Sequence, residues 1–309
     1  MVTTLSFQFE HSNSTWVRYS EYEWKKATDG RLYLTPCADA EPDLYDPLKE
    51  YRQLVLDAIY IGRLCMKENQ NDEDIQVEIK AFAEKYGLFG LMTALPTTAS
   101  FMDYEAVYLP KNQLIRKEMM STEEYLSLFF PFDKLDLVKR GVESLWNIEG
   151  DIKMMALAMT MSNEPMAVNM CFQRQYAERY EWMKQVFKDW AFNVTTVFLY
   201  YNDYDKLDED YKQLMRQSIR AFGGNAPVYH IELLEQPTLV WDFHSLLLGI
   251  QMMLSFILTD EHNPLRLCKQ CMKPFIASRP SAVFCSPRCK NQYNVYKNRA
   301  KNKTDETEE

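Results

Sequence analysis

Alternating apolar and polar positions mark the first part of the chain. The run LSFQF at residues 5–9 alternates strictly, and the aromatic-rich run WVRYSEYEW follows at residues 16–24. A period of two predicts β-strands. Asp29-Gly30, just ahead of the run RLYL, is typical of a hairpin turn. The pattern therefore predicts a small N-terminal β-hairpin region.

From about Asp46 the apolar positions follow the 3.6-residue period of an α-helix. Asp46-Pro47 predicts a helix start, because aspartate is a good N-cap and proline suits the first helical position. Helices are predicted over residues 48–59 and 73–86, and Gly87 is placed to end the second of them.

Further helices are predicted along the rest of the chain before the cysteine-rich segment. Ser121 with Glu124 forms a capping-box pattern ahead of YLSLFF. A short strand is predicted over residues 228–234. The remaining predicted helices cover residues 135–146, 151–161, 166–190, 209–222 and 238–258.

The most apolar stretch, LLLGIQMMLSFIL at residues 246–258, predicts a buried core helix rather than a membrane span. It contains Gln251 and Ser255 and is shorter than the roughly 20 apolar residues that a span needs. The opening residues MVTTLSFQFE lack the basic region and apolar run of a secretory signal. We therefore expect a cytoplasmic protein with no membrane partner.

Four of the chain's seven cysteines form two close pairs, Cys268-x2-Cys271 and Cys285-x3-Cys289, separated by thirteen residues. Two such pairs can supply four thiolates to one tetrahedral Zn²⁺ ion at about 2.3 Å. In a cytosolic protein a cysteine cluster more often binds metal than forms disulfides. Because four cysteines leave no open coordination position, we predict one structural zinc ion. The other three cysteines are isolated and are predicted to be small buried apolar residues: Cys37, Cys65 and Cys171.

The residues around the cysteines predict a defined small fold. The apolar residues 275–276 and 283–284 predict a short hairpin. Ser286 is a good N-cap and Pro287 suits the first helical position, which would place Cys289 in the first turn of a helix. The positive end of the helix dipole stabilises a thiolate there. A knuckle, a hairpin and a helix that carries the last ligand predict a treble-clef-like arrangement.

The last helix is predicted to carry an apolar stripe beside a basic one. The apolar stripe is expected to pack on the zinc knuckle and consists of Cys289, Tyr293, Tyr296 and Ala300. The adjacent stripe is basic and amide-bearing: Lys290, Asn294, Lys297 and Lys301. A basic face without acids suits a phosphate backbone, and asparagine or arginine can read base edges. The alternative is an ordinary solvated lysine face.

Charge divides the chain unevenly. Between His262 and Lys303 there are ten basic residues and no acidic one, whereas residues 1–261 hold 25 basic and 40 acidic residues. The last six residues, TDETEE, hold four acids. An acidic body is thus joined to a basic module, and such a localised basic segment is typical of nucleic-acid binding.

These patterns predict three parts. Residues 1–262 form a mainly helical body with N-terminal strands, residues 263–303 a four-cysteine zinc finger with a basic helix, and residues 304–309 an acidic disordered tail. The predicted fold class is mainly α with a small N-terminal β-hairpin region and a C-terminal four-cysteine, treble-clef-like zinc finger.

The segment CKQCMKPF…FCSPRCKNQYNVYKNR, at residues 268–299, resembles the C-terminal zinc finger of bacterial CGNR-type proteins. In that family a mainly helical body precedes a C-x2-C…(F/Y)CS-x2-C finger and a basic helix. At the position of the name-giving motif this chain reads CKNQ from Cys289, with lysine in place of glycine and glutamine in place of arginine. The resemblance covers about residues 264–303 and implies a DNA-binding transcriptional regulator whose metal ligands are the four paired cysteines.

We therefore expect a zinc-containing nucleic-acid-binding protein with DNA as its partner. Its body is expected to sense a ligand or to dimerise, so a homo-oligomer is one of the expected states. The predicted contact residues are Lys273, Arg279, Arg288, Lys290, Asn294, Lys297, Arg299 and Lys301. One alternative is a zinc-stapled protein-interaction module whose basic helix meets an acidic surface, including that of the body itself. Another is a nuclease or defence effector with an active site in the body.

No catalytic set can be named in the body, so an enzyme is the less favoured interpretation. The four histidines are scattered, and HExxH, GxSxG, P-loop and GxGxxG motifs are absent. The run YNDYDKLDEDY at residues 201–211 lacks the glycine and the final glutamate of an EF-hand. The run MMALAMTM at residues 154–161 is typical of core filling rather than of a soft-metal site.

Overall fold

A computed structural model describes residues 12–95, 100–132, 151–161, 164–202, 204–221, 228–260, 262–279 and 281–305. Within these ranges it contains ten α-helices and several small, mostly antiparallel sheets. The helices are α1 Tyr51–Cys65, α2 Asp72–Tyr86, α3 Leu91–Ala94, α4 Thr122–Ser127, α5 Ile152–Thr160, α6 Met166–Cys171, α7 Tyr180–Asn202, α8 Glu209–Ala221, α9 Leu246–Thr259 and α10 Pro287–Asp305. The strands are β1 Ser12–Asn13, β2 Trp16–Tyr19, β3 Tyr22–Lys26, β4 Leu32–Pro36, β5 Pro42–Tyr45, β6 Ala106–Tyr108, β7 Met119–Ser121, β8 Glu178–Arg179, β9 Val228–Leu233, β10 Pro237–Asp242, β11 Leu265–Leu267 and β12 Pro274–Ile276.

The predicted N-terminal hairpin is formed by β3 and β4, which pair antiparallel with Tyr22 opposite Pro36. Gly30 in the turn has a φ of +78°, a conformation that favours glycine. Asp29 Oδ1 accepts a hydrogen bond from the Arg31 N–H at 3.0 Å, which closes the turn. The aromatic-rich run divides into two strands, because β2 pairs with β5 instead.

Strands are not confined to the N-terminal region, so the predicted fold class needs correction. β4 also pairs with β8, and β6–β7, β9–β10 and β11–β12 form further antiparallel pairs. β1 lies parallel to β10. The chain is therefore helical with small sheets along its length, rather than mainly α with one hairpin. The strand predicted over residues 5–9 and the helix predicted over residues 135–146 lie outside the described residues.

Local capping signals place several helix ends correctly. Asp46 Oδ1 accepts a hydrogen bond from the Leu48 N–H at 3.0 Å, at the start of the 3-10 turn that leads into α1. Gly87 ends α2 with a φ of +86°. Ser121 Oγ accepts a hydrogen bond from the Glu124 N–H at 3.1 Å and caps α4.

Two predicted helices are wrong in extent. The helix predicted over residues 166–190 is divided into α6 and α7 by a turn and by β8. The helix predicted over residues 238–258 begins only at Leu246, after the N-cap Ser245, because the residues before it extend as β10. Pairing of β8 with the distant β4, and of β10 with the neighbouring β9, overrides the local helical pattern.

The core of the body is built around α1. Its buried face packs along α7, and α2 and α9 also pack against it. The two helices approach closely at Gly62, where an added Cβ atom would lie 2.0 Å from the backbone oxygen of Phe187 in α7. The absence of a side chain at Gly62 therefore allows the two helices to pack this closely.

The most apolar helix, α9, lies in this core as predicted. Ile250 and Met253 are fully buried, and Leu254 nearly so. Ser245 Oγ caps the helix by accepting a hydrogen bond from the Leu248 N–H at 3.1 Å. In the part of the chain that the structure describes, no helix is both long and apolar enough to cross a membrane.

A buried carboxylate, Glu178 of β8, holds the loop between α2 and α3. Its Oε2 accepts a hydrogen bond from the Phe89 N–H at 2.9 Å. Its Oε1 accepts one from the Leu91 N–H at 2.8 Å and one from the Tyr176 hydroxyl at 2.8 Å. Burial raises the pKa of Glu178 to about 7, although these donors act in the opposite direction. The carboxylate thereby ties the β3–β4–β8 sheet to the helical core.

Candidate metal centre and basic helix

The first cysteine pair is carried by the hairpin of β11 and β12. Cys268 follows β11 directly, and its N–H donates to the Lys273 carbonyl at 3.0 Å. The Cys268 carbonyl accepts a hydrogen bond from the Met272 N–H at 2.9 Å. Met272 has a φ of +58°, in the left-handed region that tight turns use. This knuckle places Cys268 and Cys271 side by side.

The second cysteine pair lies at the start of α10. Pro287 is the first residue of this helix, and Ser286 Oγ accepts a hydrogen bond from the Cys289 N–H at 3.2 Å. The predicted N-cap and the predicted proline position are therefore confirmed. Cys289 lies in the first helical turn, while Cys285 directly precedes the cap residue.

The four sulfur atoms meet in one cluster. The Sγ atoms of Cys268, Cys271, Cys285 and Cys289 all lie within 4.8 Å of one another. Cys285 Sγ is 3.6 Å from Cys271 Sγ and 3.5 Å from Cys289 Sγ. Tetrahedral coordination with bonds of about 2.3 Å requires sulfur–sulfur distances of about 3.8 Å. The cluster therefore has the size and the donor set to hold one four-coordinate metal ion.

The surroundings of the sulfurs affect their ionisation unequally. Burial acts to raise the pKa of Cys268, but the backbone N–H groups of Cys271, Cys285 and Gln270 outweigh it and hold the pKa at about 6. At Cys271 burial raises the pKa of the thiol. At Cys285 burial and the neighbouring sulfurs raise it to about 12. The fold alone thus favours the thiolate of Cys268, whereas at Cys271 and Cys285 a bound cation would have to offset the raised pKa.

Two predicted details of the finger are wrong. β12 pairs with β11 rather than with residues 283–284, and the latter segment is held by a hydrogen bond from the Lys269 N–H to the Val283 carbonyl at 3.0 Å. On α10 the Tyr293 ring contacts Phe284 at a centroid distance of 5.2 Å, but Tyr296 is 52% exposed. The helix extends beyond so small a domain, so the apolar stripe does not pack along its full predicted length.

Helix α10 exposes its basic residues to solvent. In its described side chains, residues 287–297, only Cys289 and Tyr293 are partly buried. None of these described side chains forms an ion pair with the body. The predicted contact residues in this part of the helix are all exposed: Arg288, Lys290, Asn294 and Lys297. Arg299 and Lys301 lie further along the same helix.

The two remaining predicted contact residues lie outside this helix. Lys273 Nζ is 5.6 Å from the ring centroid of Tyr60 in α1, so this cation lies at the boundary between the finger and the body. Arg279 is exposed in the turn after β12, where its carbonyl accepts a hydrogen bond from the Ala282 N–H at 3.0 Å. The predicted contacts are therefore concentrated on α10 rather than spread evenly over the finger.

The finger rests on α1, a contact that the sequence pattern did not predict. Arg63 donates a hydrogen bond from Nη1 to the Met272 carbonyl. Leu265 and Ile276 of the finger pack against the core of the body. Arg63 belongs to no recognisable motif. A polar residue on an amphipathic helix is ordinarily solvated, so the sequence does not predict its hydrogen bond to a residue 209 positions away.

A groove of about 520 Å³ lies between the finger and helices α1 and α2. Asp57 and Glu78 line it, but Asp57 is already bonded to Lys85 and to the Tyr86 hydroxyl, both at 2.8 Å. The groove therefore lacks a converging pair of free carboxylates. Within the described ranges, the four cysteines are the one group of three or more histidine, cysteine or acidic residues that could hold a metal ion.

No protein-family model, curated protein or solved structure matches the chain. Its class is therefore defined by its own geometry. It has a helical body with small sheets, and a four-cysteine cluster that could hold a metal ion lies at the base of an exposed basic helix.

Proposed function

We propose that the chain is a zinc-containing nucleic-acid-binding protein that acts as a DNA-binding transcriptional regulator. The observation that carries the proposal is α10, a helix whose described charged side chains are all basic and exposed, and which is anchored at its first turn to the cysteine cluster. The finger is in turn attached to α1. Such a rigid basic rod can follow a phosphate backbone.

Zinc is the proposed metal because a tetrahedral set of four thiolates is typical of structural zinc sites. Cys268, Cys271, Cys285 and Cys289 would hold it, and all four coordination positions would be protein sulfurs. When bound, the ion supplies a structural crosslink and no reaction chemistry. It would fix Cys289, and with it the first turn of α10, against the knuckle.

The stripe from Lys290 to Lys301 would carry the phosphate contacts. The eleven steps from Lys290 to Lys301 extend about 16 Å along an α-helix at 1.5 Å per residue. Phosphates of one DNA strand follow one another every 3.4 Å or so along the helix axis, so this stripe can span several of them. Asn294 lies within the stripe and has the donor and acceptor needed to read an adenine edge. The acidic body would be repelled by DNA, which orients the chain with α10 foremost.

The proposal is tested by titrating the full chain against a fluorescent duplex of random sequence over a series of salt concentrations. We expect binding that weakens steeply with salt, because each phosphate contact releases condensed cations. Replacing Lys290 and Lys297 together by glutamine should lower the slope of log K against log salt by about 2. The same preparation should contain about one zinc ion per chain.

The matched control replaces Lys26 and Lys67, two exposed lysines of the body, by glutamine. This variant has the same net charge as the α10 variant but should bind DNA like the wild type. Absence of binding, an affinity independent of salt, or an equal loss in both variants would contradict the proposal. Single-stranded RNA titrated in parallel tests whether the duplex is the preferred ligand.

The contact between the finger and α1 favours a second candidate function, a zinc-stapled protein-interaction module. In that case the metal only stabilises a domain too small to form its own core, and α10 meets an acidic protein surface. Crosslinking of α10 to the body or to an acidic protein, in a preparation that binds no nucleic acid, would support this second function over the first.

A further inference from the structure

The ribbon formed by β9 and β10 is exposed mainly along β9. All six residues of β9, Val228–Leu233, are exposed to solvent. β10 pairs with β9 along its whole length, and its other edge meets the two-residue strand β1. A strand exposed along its whole length at the edge of so small a sheet adds little stability unless something covers it.

One face of this ribbon is entirely apolar. Alternate residues of a strand lie on the same face, and the register places three apolar cross-strand pairs together: Tyr229 with Trp241, Ile231 with Leu239, and Leu233 with Pro237. Ile231 is 69% exposed and Leu233 81%. Trp241 is partly buried against the core, and the other five residues form an exposed apolar patch of the kind that marks an interaction surface.

β9 is also an edge strand, since the strand order of its sheet is β1–β10–β9. Nothing in the described ranges pairs with its outer edge, so its outward N–H and C=O groups can accept a further strand. Edge strands commonly carry lysine, proline or a bulge that prevents such pairing. The sequence of β9, VYHIEL, contains neither lysine nor proline.

We propose that β9 docks a second copy of this chain, by antiparallel pairing with the partner's β9 across a two-fold axis at Ile231. In this register Tyr229 lies opposite the partner's Leu233, and His230 lies opposite the partner's Glu232. Each pair occurs twice, because an interface with two-fold symmetry is self-complementary. The two apolar faces then lie side by side in one larger sheet, and each covers a flank of the other.

Charge selects this register over its neighbours. A two-fold axis at Glu232 would place the two Glu232 carboxylates directly opposite each other. A two-fold axis at His230 would place the two His230 imidazoles directly opposite each other. Like charges in directly opposed positions are unfavourable, whereas opposite charges stabilise the pair. His230 Nδ1 lies 2.7 Å from Asp242 Oδ2 of its own ribbon, and this hydrogen bond raises the pKa of His230. The imidazolium is thereby favoured opposite the partner's Glu232.

The inference goes beyond the proposed function and does not depend on it. A two-fold axis would present two α10 helices to a DNA site of matching symmetry. The dimer itself is measured in the absence of DNA, so a chain that dimerises without binding DNA, or binds DNA as a monomer, separates the two proposals.

The first test is the oligomeric state of the full chain, measured by light scattering after size-exclusion chromatography over a concentration series. We expect a dimer. Ile231→Cys should then form a disulfide between two chains, because side chains on the axis have Cβ atoms about 5 Å apart. Leu239→Cys is the matched control on the same face. In the proposed dimer Leu239 lies three strand spacings, about 14 Å, from Leu239 of the second copy, and a disulfide cannot bridge this distance.

The crosslink is read on non-reducing gels and located by mass spectrometry, which separates it from the native cysteines present in both variants. Glu232→Lys should weaken the dimer about tenfold, because it places a cation opposite the partner's His230. Mixing it with His230→Glu chains should restore dimers, since opposite charges then face each other at both positions. A monomeric wild type, equal crosslinking at positions 231 and 239, or a dimer indifferent to Glu232→Lys would overturn the proposal.

Discussion

At the residue scale, Glu178 is a carboxylate kept in the core by donors from a distant loop. It is fully buried, and burial raises its pKa from an ordinary 4.5 to about 7. An acid whose pKa is higher in the folded than in the unfolded state takes up a proton on folding. Its contribution to stability is therefore fully present below the ordinary pKa and is lost as pH rises through the folded pKa.

We therefore expect this group alone to lower the free energy of unfolding by up to about 3 kcal/mol between pH 4.5 and about pH 7. Glu178→Gln is uncharged at both pH values, so it should flatten this slope while lowering stability overall through a lost hydrogen-bond acceptor. The measurement is urea unfolding at a series of pH values, followed by tryptophan fluorescence. The exposed neighbour Glu181→Gln should keep the wild-type slope, and a slope unchanged in Glu178→Gln would refute the linkage.

The role of Glu178 could not be predicted from sequence, whereas the cysteine cluster could. Two residues separate the cysteines of the first pair and three separate those of the second, so a metal site can be recognised in a short segment of sequence. Two of the donors to Glu178, the N–H groups of Phe89 and Leu91, lie 89 and 87 residues away. Glu178 in the run YAERYEW has no local feature that distinguishes it from a solvated surface residue such as Glu181.

At the scale of elements, the packing of α1 on α7 depends on one glycine. An added Cβ atom at Gly62 would lie 2.0 Å from the Phe187 backbone oxygen and 2.7 Å from the Ala191 Cβ. These atoms belong to the body of a packed helix and cannot move as a flexible side chain can. Gly62→Ala must therefore push the two helices apart.

We expect Gly62→Ala to lower the free energy of unfolding by about 1–3 kcal/mol or more, because overpacking shifts backbone as well as side chains. Gly249→Ala in α9 is the matched control. Its added Cβ atom would meet Met253 Cε at 3.6 Å, an ordinary contact. Alanine also favours a helix over glycine, so this control should be neutral or stabilising by up to about 1 kcal/mol. Equal changes in the free energy of urea unfolding for the two substitutions would show that α1 and α7 do not pack too closely at Gly62 to admit a methyl group.

Helices were predictable where their ends are marked locally. Gly87 and Ser121 act within a few residues of the ends they define, and both do so as predicted. β8 and β10 are different, because they exist through pairing with β4 and β9. Their own residues fit a helical pattern equally well, and pairing with another strand, distant for β8 and neighbouring for β10, decides between the two states.

At the scale of the whole molecule, the finger is attached to the body without being part of its core. The buried residues of the main hydrophobic cluster end at Ile257, before the finger begins. The finger reaches this cluster through the partly buried Leu265 and Ile276 and through the hydrogen bond from Arg63 to the Met272 carbonyl. The two parts should therefore differ in what stabilises them: apolar burial for the body and the metal for the finger.

Removal of the metal should accordingly open the finger and leave the body folded. We expect a strong chelator, or Cys289→Ser, to raise amide hydrogen exchange over residues 265–279 and 284–297, because a domain of this size loses its main crosslink with the metal. Exchange in α7 and α9 should stay slow, since the buried residues of these helices lie in the main hydrophobic cluster of the body. Within the body, exchange should rise only on the outer face of α1 around Arg63, which contacts the finger. Cys37→Ser, at an isolated thiol, is the control that keeps both the metal and the exchange pattern. Chelation could instead accelerate exchange in α7 as much as in the finger. In that case the finger and the body would unfold as one cooperative unit through the contact at α1. The proposal of a regulatory body with a separately stabilised DNA-binding module would then be wrong.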